Sequence, residues 1–272
     1  IPYIPSRLPK ISIVTPSYNQ GDFLEECIDS VLSQGYPDLE YVVMDGGSTD
    51  RSVEIIKKYE KYLTFWKSGP DGGQYPAINE GFQHTTGSLM AWLNSDDKYH
   101  PDAFYKVAAA FQEKTEIEWL MGRPTLWDEA GNLTTIFNEI PVWTRQYILS
   151  KDWIKSGFWI QQESTFWSRS LWEKVGAKID TRYRLAGDFE LWLRFSRYAY
   201  FYFLNDLVAG FRLHTEQKTK TQMDKYMQEV EKAINYEILF TKIPAPQVVT
   251  ADFLTIHTNI DTINQLKQQS KG

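Results

Sequence analysis

The sequence predicts an α/β protein with a mostly parallel, Rossmann-like sheet, helices on both faces of that sheet, and a C-terminal helical extension. Short β-branched or apolar runs alternate with longer amphipathic stretches, and the links between them are short. Such alternation produces parallel sheets, because each helix carries the chain back to begin the next strand in the same direction. With 272 residues, 42% of them hydrophobic, the chain is long enough for one large domain.

The first part of the chain alternates regularly between strands and helices. The predicted strands are 10–15, 39–45, 63–68 and 88–94. The predicted helices are 21–34, 51–62, 77–82 and 101–114. Gly35 and Pro37 end the first helix, and Pro101 begins the fourth, where its missing N–H is not needed.

The later part of the chain is less regular and rich in tryptophan. Its pattern predicts a helix at 186–199, a strand at 207–214 and a long polar helix at 219–240. The tail carries apolar residues three or four positions apart, which is typical of a further helix. The chain has 10 tryptophans, and such rings can fill a core or contact flat ligands such as bases and sugars.

Charge and cysteine content narrow the class of protein. The net charge of −6 argues against a nucleic acid as the main partner, which needs a basic face. A small phosphorylated ligand remains compatible, because one metal ion would offset its charge.

Cys27 is the only cysteine and lies on the apolar face of the first helix, so we expect a core residue and no internal disulfide. No apolar run approaches the roughly 18 residues of a membrane span, and no signal peptide is visible.

Polar clusters follow three predicted strands, at 15–19, 45–50 and 94–97. In parallel sheets ligands bind beyond the carboxyl ends of the strands, so these clusters should converge at one edge. The third ends in adjacent acids, Asp96 and Asp97, whose charges repel unless a cation lies between them. Carboxylate oxygens suit Mg²⁺ or Mn²⁺. The alternative is a solvated turn before a proline-initiated helix.

Five ordered segments of the sequence resemble family 2 glycosyltransferases. They are ISIVTPSYNQGDFLEECIDSVLSQGYPDLEYVVMDGGSTD, GGQYPAINEGF, WLNSDD, GDFELWLR and FRLHTEQKT, and the resemblance covers roughly residues 10 to 220. It implies the GT-A fold and transfer of a sugar, with inversion, from a nucleoside diphosphate donor, most often of uridine. It also implies a Mn²⁺ or Mg²⁺ cofactor and an acceptor that is a carbohydrate or a lipid-linked glycan.

The resemblance also implies roles for individual residues. The donor-binding residues would be Thr15, Pro16, Tyr18, Asp45, Gly73, Asn94, Asp96 and Lys218. The metal ligands would be Asp97 and His214, and Asp188 would be the catalytic base. The acceptor-binding residues would be Trp159, Gln162, Glu163 and Trp167.

Several of these roles have a structural alternative. Asp188 could cap a helix, and Trp159 and Trp167 could belong to the core. The sequence departs from the family's common pattern at Asn94, where Asp is frequent, and at Gly187, where Glu is usual.

The implied organisation is a donor-binding half at 1–120, an acceptor-binding and catalytic half at 121–218, and a helical extension at 219–272. Family members often build surface polysaccharides at the inner face of the membrane, which implies a cytoplasmic location with peripheral membrane contact. Two other functions fit the pattern: a sugar nucleotidyltransferase, and a non-catalytic carbohydrate-binding domain of the same fold. A nucleotidyltransferase would usually carry a basic, glycine-rich turn after its first strand, and TPSYNQGDF lacks one.

Overall fold

A computed structural model describes residues 8–139, 141–215, 217–241 and 254–270 of the protein, without the side chains of 218–220. The strands are β1 (Ile11–Ser17), β2 (Leu39–Asp45), β3 (Phe65–Ser68), β4 (Leu89–Trp92), β5 (Lys98–Tyr99), β6 (Trp119–Arg123), β7 (Thr125–Trp127), β8 (Leu133–Ile136), β9 (Thr165–Ser168), β10 (Phe201–Leu207), β11 (Ala209–Arg212) and β12 (Thr255–Ile256). The helices are α1 (Leu24–Leu32), α2 (Ser52–Tyr59), α3 (Gln74–Gln83), α4 (Ala103–Glu113), α5 (Arg145–Ser150), α6 (Asp152–Ser156), α7 (Arg169–Lys174), α8 (Gly187–Phe195), α9 (Lys218–Phe240) and α10 (Ile260–Gln269). Short 3₁₀ turns occupy Glu60–Tyr62 and Gln162–Ser164.

The main sheet has eight strands in the order β12-β10-β6-β9-β4-β1-β2-β3. Strand β1 is parallel to both β2 and β4, and β6 is parallel to β10. Strand β9 alone reverses direction, between β4 and β6. Every residue of β1 is buried, which explains why it appears in the sequence as a continuous run rather than an alternating one. The predicted mostly parallel sheet with helices on both sides is confirmed.

A second sheet, in the order β5-β11-β7-β8, lies beside the main one. The strand predicted at 207–214 is confirmed as the shorter β11, whereas Leu207 is the last residue of β10 in the main sheet. Strand β11 pairs antiparallel with β5, with Ala209 opposite Tyr99. Because β5 follows the two adjacent aspartates and β11 precedes His214, this pairing brings the two segments together.

Most of the tryptophans are used in packing. Trp92, Trp119, Trp167 and Trp192 are almost fully buried and pack ring against ring in the core. The expectation that Cys27 belongs to the core is confirmed, since its side chain is fully buried.

The C-terminal segments are integrated with the rest of the fold. Helix α9 packs against α8, and its buried Glu237 forms ion pairs with Arg145 and Arg197. Strand β12 extends the main sheet beside β10, and α10 packs on α4, where the Tyr105 hydroxyl lies 3.0 Å from Ser270 Oγ. Within the described segments, every helix is too short or too polar to cross a lipid bilayer.

Candidate active site

The end of strand β1 supplies one outward-facing aromatic ring. Thr15 and Pro16 are buried within the strand, and Thr15 Oγ1 lies 3.1 Å from the Tyr41 hydroxyl. Tyr18, just beyond the strand, is 61% exposed. The Thr15 hydroxyl is therefore held in the core and is not available to the donor, whereas the exposed Tyr18 ring can stack on a ligand.

Asp45 ends β2 and fixes the turn that follows. Its Oδ2 accepts hydrogen bonds from the Gly47 and Ser48 amides, at 3.1 and 3.0 Å, and from Ser68 Oγ at 2.6 Å. Its Oδ1 accepts a further bond from Ser48 Oγ. The residue is 2% exposed, and three of its four donors lie on Oδ2, which leaves Oδ1 with the Ser48 hydroxyl alone. Asp45 therefore orders the turn, and its contact with the base stays a prediction.

Gly73 lies between β3 and α3, in an exposed loop at the same edge of the sheet. Its φ of 116° is a conformation that side-chain-bearing residues rarely adopt, so glycine is required there. Its amide donates to Asp71 Oδ1 at 2.8 Å, and its carbonyl accepts from the Ala77 amide at the start of α3. A ligand could therefore approach the backbone of this loop closely.

The two adjacent aspartates after β4 have different surroundings. Asp97 is 1% exposed, and its Oδ1 accepts from the Arg212 amide at 2.8 Å. Burial and the neighbouring Asp96 charge hold the pKa of Asp97 well above its usual range. Asp96 keeps part of its surface accessible, and its Oδ2 lies 3.0 Å from His214 Nε2. His214 was predicted to share a metal with Asp97, whereas the structure places it against Asp96.

Arg212, at the end of β11, hydrogen-bonds both to the backbone of Asp96 and to Glu26 of α1. Its guanidinium donates from Nε to the Asp96 carbonyl at 2.6 Å and from Nη2 to Glu26 Oε2 at 2.5 Å. The side chain is almost fully buried, so these hydrogen bonds are protected from water. Arg212 thus fixes the backbone on which Asp96 and Asp97 are carried.

Asp188 lies in the first turn of α8 and retains partial exposure. The alternative that it caps the helix does not hold, because Ala186 occupies the cap position. The Tyr75 hydroxyl lies 2.7 Å from the Leu185 carbonyl oxygen and 3.3 Å from Asp188 Oδ1, and its one proton can be donated to either oxygen. Burial raises the pKa of Asp188 to about 6, which brings it near the range a general base needs.

The turn before Asp188 is held by Glu229 of α9. One Glu229 oxygen accepts from the Arg184 amide at 3.0 Å. The other accepts from the Leu185 and Ala186 amides at 2.8 and 2.9 Å. The C-terminal helix therefore positions the segment that carries the candidate base.

The predicted acceptor-side residues are divided between the site and the core. Trp167 is fully buried, so the prediction that it stacks on a sugar is wrong. Gln162 is also buried and donates from Nε2 to the Trp92 carbonyl at 2.7 Å. Trp159 is partly exposed and packs against Trp153, with ring centroids 5.2 Å apart.

Glu163 is a buried carboxyl in the 3₁₀ turn Gln162–Ser164. It is 2% exposed, and among the described residues its Oε1 has no hydrogen-bond partner. Burial raises the pKa of Glu163 to about 8, and the charges of Asp96 and Asp188 act in the same direction. The turn contacts β4 and β5, which flank the two adjacent aspartates, and β11, which precedes His214.

The start of α3 connects residues 94–97, which we call the aspartate loop, to the candidate base Asp188. Gln74 Nε2 donates to Asn94 Oδ1 at 2.8 Å, and the next residue, Tyr75, contacts Asp188. Two consecutive residues at the start of α3 therefore contact the aspartate loop and the candidate base. In the part of the chain that the structure describes, no three His, Cys, Asp or Glu side chains converge as in a metal site formed by protein ligands alone.

Some important residues lacked an assigned role in the sequence. Tyr75 and Arg212 lie inside segments that carry the family resemblance, so that resemblance was the available signal. Glu229 lies in a polar helix among other charged residues, and its partners are some 43 to 45 positions away. The side chain of Lys218 lies outside the described residues, and its backbone begins α9.

Comparison with known proteins identifies the family. The family model described as "Glycosyl transferase family 2" matches residues 12–155. An uncharacterized glycosyltransferase of Mycobacterium tuberculosis (strain H37Rv) is 31% identical over 188 residues, which cover 68% of this chain and 68% of that protein. The putative teichuronic acid biosynthesis glycosyltransferase TuaG of Bacillus subtilis is 32% identical over 112 residues, covering 39% of this chain and 44% of TuaG. The chain belongs to glycosyltransferase family 2 and is a glycosyltransferase.

Solved structures show the same fold. S. aureus TarS 1–349 in complex with UDP matches with a TM-score of 0.66 at 20% identity, over 86% of this chain and 67% of that one. The mannosyltransferase PcManGT from Pyrobaculum calidifontis, in complex with GDP-Man and Mn²⁺, matches with a TM-score of 0.64 at 19% identity, over 88% of this chain and 67% of that one. Against another TarS chain, this protein spans 40% of the length. The predicted GT-A fold is confirmed.

Proposed function

We propose that this glycosyltransferase transfers a sugar from a UDP-sugar to a hydroxyl of a growing polysaccharide, with inversion at the anomeric carbon. The observation that carries the proposal is that the start of α3 contacts both the aspartate loop, through Gln74, and Asp188, through Tyr75. The UDP complex of TarS supports a uridine donor, and the name of TuaG supports a polysaccharide product. The reaction would take place in the cytoplasm, at the inner face of the membrane where such acceptors are built.

The donor would bind along the carboxyl edge of the sheet. The exposed Tyr18 ring would stack on the base, and Asn94 would contact the ribose. The glycine loop around Gly73 would lie against the diphosphate, where its backbone can approach closely. Lys218 remains a proposed diphosphate contact.

The residues present fit a divalent cation, with the roles of the two aspartates revised. Asp96 offers a partly exposed carboxylate beside the His214 imidazole, whereas Asp97 is buried and engaged by Arg212. Two protein ligands suit Mn²⁺ or Mg²⁺, because these ions commonly complete their shell with substrate phosphates. We therefore propose Asp96 and His214 as the ligands and Asp97 as the residue that orders their loop. When bound, the ion would offset the negative charge of the diphosphate leaving group.

Asp188 would remove the proton from the acceptor hydroxyl as that oxygen attacks the anomeric carbon. The carbon–oxygen bond to the diphosphate breaks on the opposite face, so the configuration inverts and the proton stays on Asp188. Tyr75 holds the carboxylate in place, and fixing both substrates in one cleft supplies a large part of the rate. Trp159 and Glu163 remain proposed contacts on the acceptor side.

Two substitutions test this proposal. Asp188→Asn should lower kcat by about 10²- to 10⁴-fold while UDP affinity stays within about twofold, because only proton transfer is lost. Asp96→Asn should remove the gain in UDP affinity that Mn²⁺ provides, whereas Asp97→Asn should keep most of it, because Asn can still accept from Arg212. Transfer assays and calorimetry with and without Mn²⁺ measure both effects. Near-normal turnover by Asp188→Asn would refute the base, and a Mn²⁺ response lost only in Asp97→Asn would refute the revised ligands.

A further inference from the structure

A cavity of about 660 Å³ lies against α1, and we call it the α1 cavity. Its walls come from α1, from the end of α2 with the 3₁₀ turn that follows it, from β5 with Pro101, and from the end of β7. Among the described residues that line it, none is assigned above to the donor, the acceptor, the metal or proton transfer. Its volume falls within the range of about 300–1,000 Å³ that is usual for small-ligand sites.

Two tyrosines supply aromatic surface to the α1 cavity. Tyr59 ends α2, and Tyr62 ends the 3₁₀ turn three residues later. Tyr59 is partly buried, whereas Tyr62 is 57% exposed, so the Tyr62 ring offers a flat apolar surface to a ligand. The C–H groups on one face of a sugar ring suit such a surface.

Helix α1 supplies the groups that can bind hydroxyls. Asp29 and Ser33 both line the cavity and are exposed, and their spacing of four positions places them on one face of the helix. A carboxylate accepts hydrogen bonds, and a serine hydroxyl both donates and accepts them. Together these two side chains can hold neighbouring hydroxyls of one sugar.

The charges at the α1 cavity oppose an anionic ligand. Glu26 and Asp29 contribute two carboxylates to the lining. The lysine of the lining, Lys98, donates to Glu26 Oε1 at 2.5 Å and to the Gly131 carbonyl at 2.7 Å, so its ammonium group is already engaged. A phosphate or a second carboxylate would therefore meet more repulsion than attraction.

Two further lysines oppose a cationic ligand on the aromatic surface. The Lys58 ammonium group lies 5.0 Å from the centroid of the Tyr59 ring, and that of Lys61 lies 4.7 Å from the centroid of the Tyr62 ring. A second cation on these rings would be repelled by the first. A neutral ligand that combines hydroxyl groups with apolar ring faces is the chemistry that remains.

We infer that the α1 cavity is a second, non-catalytic binding site for a short segment of a neutral glycan. This inference rests on the proposed function, since an enzyme that extends a polysaccharide works among such chains. Glu26, which lines the cavity, also accepts from Arg212, and Arg212 bonds the Asp96 carbonyl, so the cavity adjoins the aspartate loop. A chain held there raises the effective concentration of acceptor beside the active site.

The test is calorimetric titration of the full chain, with UDP and Mn²⁺ present, using chitotetraose, cellotetraose and maltotetraose as probes. At least one of these neutral oligosaccharides should bind at millimolar concentration or below. Tyr62→Ala should weaken that binding by about 10-fold, because an aromatic contact is lost. Asp29→Ala should weaken it by about 10-fold as well, because hydrogen bonds to a charged group are lost. UDP affinity, measured on the same samples, should stay within about twofold in both variants, because the two sites share no residue.

Tyr236→Ala is the matched control, because Tyr236 is 51% exposed and lies on α9, where its ring packs against Phe240. Its loss should leave oligosaccharide binding unchanged. The inference is overturned if none of the three oligosaccharides binds, if Tyr62→Ala and Asp29→Ala bind as tightly as the unsubstituted protein, or if Tyr236→Ala weakens binding as much as they do.

The UDP titration separates failure of the inference from failure of the proposed function. If UDP binds and no oligosaccharide does, the inference alone is overturned. If an oligosaccharide binds in a manner that depends on Tyr62 but UDP does not bind, the α1 cavity is supported as a glycan site and the proposed UDP-sugar donor is refuted.

Discussion

At the scale of single residues, carboxyl groups of one chemical type take different roles because their surroundings differ. Asp45 accepts four hydrogen bonds from protein groups, Asp97 is buried against a backbone amide, and Asp96 and Asp188 keep partial exposure. Hydrogen bonding and exposure, rather than residue type, decide which acid meets a substrate.

The pKa of Asp188 leads to a prediction about pH. Burial raises this pKa to about 6, and the base works only when it has lost its proton. Below pH 6, kcat/KM should therefore fall about tenfold per pH unit, and above pH 7 this group should no longer limit the rate. The measurement is a pH profile of kcat/KM between pH 5 and 8 at saturating Mn²⁺.

Tyr75→Phe provides the comparison for that profile. The Tyr75 hydroxyl lowers the pKa of Asp188 by hydrogen bonding to its carboxylate. Removing it should shift the acidic limb of the profile to higher pH. If the unsubstituted enzyme shows no fall in kcat/KM at low pH, Asp188 is not the titrating base. The same conclusion follows if the fall lies at the same pH in Tyr75→Phe.

At the scale of elements, the site depends on contacts between segments that are distant in the sequence. Strand β5 and strand β11 bring the aspartate loop to His214, and α3 brings it to Asp188. Gly187, where Glu is usual in the family, is explained by the same packing. A Cβ at this position would stand 2.7 Å from the Tyr75 ring, so only glycine lets α8 begin this close to α3.

Glu229 of α9 accepts hydrogen bonds from the turn before α8, and a substitution at Glu229 tests whether this contact positions Asp188. Glu229→Gln removes the charge and part of the acceptor capacity that three backbone amides share. We expect kcat to fall by about 10- to 100-fold, because small displacements of a catalytic group are costly, while UDP affinity stays within about twofold. Steady-state kinetics and calorimetry measure the two quantities.

Glu231→Gln is the control on the same helix, because among the described residues Glu231 forms its ion pair with Lys151, near the surface. It should change neither kcat nor UDP affinity. Equal kcat in Glu229→Gln and the unsubstituted enzyme would show that the Glu229 hydrogen bonds do not position Asp188.

The sequence predicts the elements and the chemistry of the site better than the contacts within it. Strand ends and helix starts are local features, so the polar clusters and the position of Asp188 on a helix could be inferred. The burial of Trp167, the hydrogen bond from Ser68 to Asp45 and the pairing of Asp96 with His214 depend on which segments meet. Such meetings are set by tertiary packing, which leaves no periodic signal along the chain.

At the scale of the whole molecule, the three predicted segments form one structure. The main sheet takes β1 to β4 from 1–120, β6, β9 and β10 from 121–218 (β6 begins at Trp119), and β12 from 219–272. A sheet shared in this way cannot be divided at either boundary without cutting hydrogen-bonded strands apart. The boundaries at 120 and 218 therefore fall within one hydrogen-bonded sheet, and the division of roles between the segments stays a prediction.

The buried ion pairs of Glu237 should make α9 important for stability. Glu237→Gln would leave Arg145, which is almost fully buried, without its carboxylate, and would weaken the pair with Arg197. We expect the free energy of unfolding to fall by about 3–5 kcal/mol, the usual cost of leaving a buried charge unpaired. Urea unfolding followed by tryptophan fluorescence measures it.

The exposed pair formed by Lys151 and Glu231 supplies the comparison for stability as well. Glu231→Gln should cost less than about 1 kcal/mol, because solvent screens such pairs. Equal stability losses in the two variants would mean that the Glu237 pairs contribute no more than a surface contact.

The thiol of Cys27 can report the motion of α1 relative to the aspartate loop. Cys27 Sγ lies under the aspartate loop, 3.5 Å from the Asn94 carbonyl, and burial raises the pKa of the thiol. A maleimide or disulfide reagent can reach it only when α1 separates from that loop. The chain has no other cysteine that could react. The labelling rate therefore reports how often α1 separates from the aspartate loop in the unmodified protein, without an engineered probe.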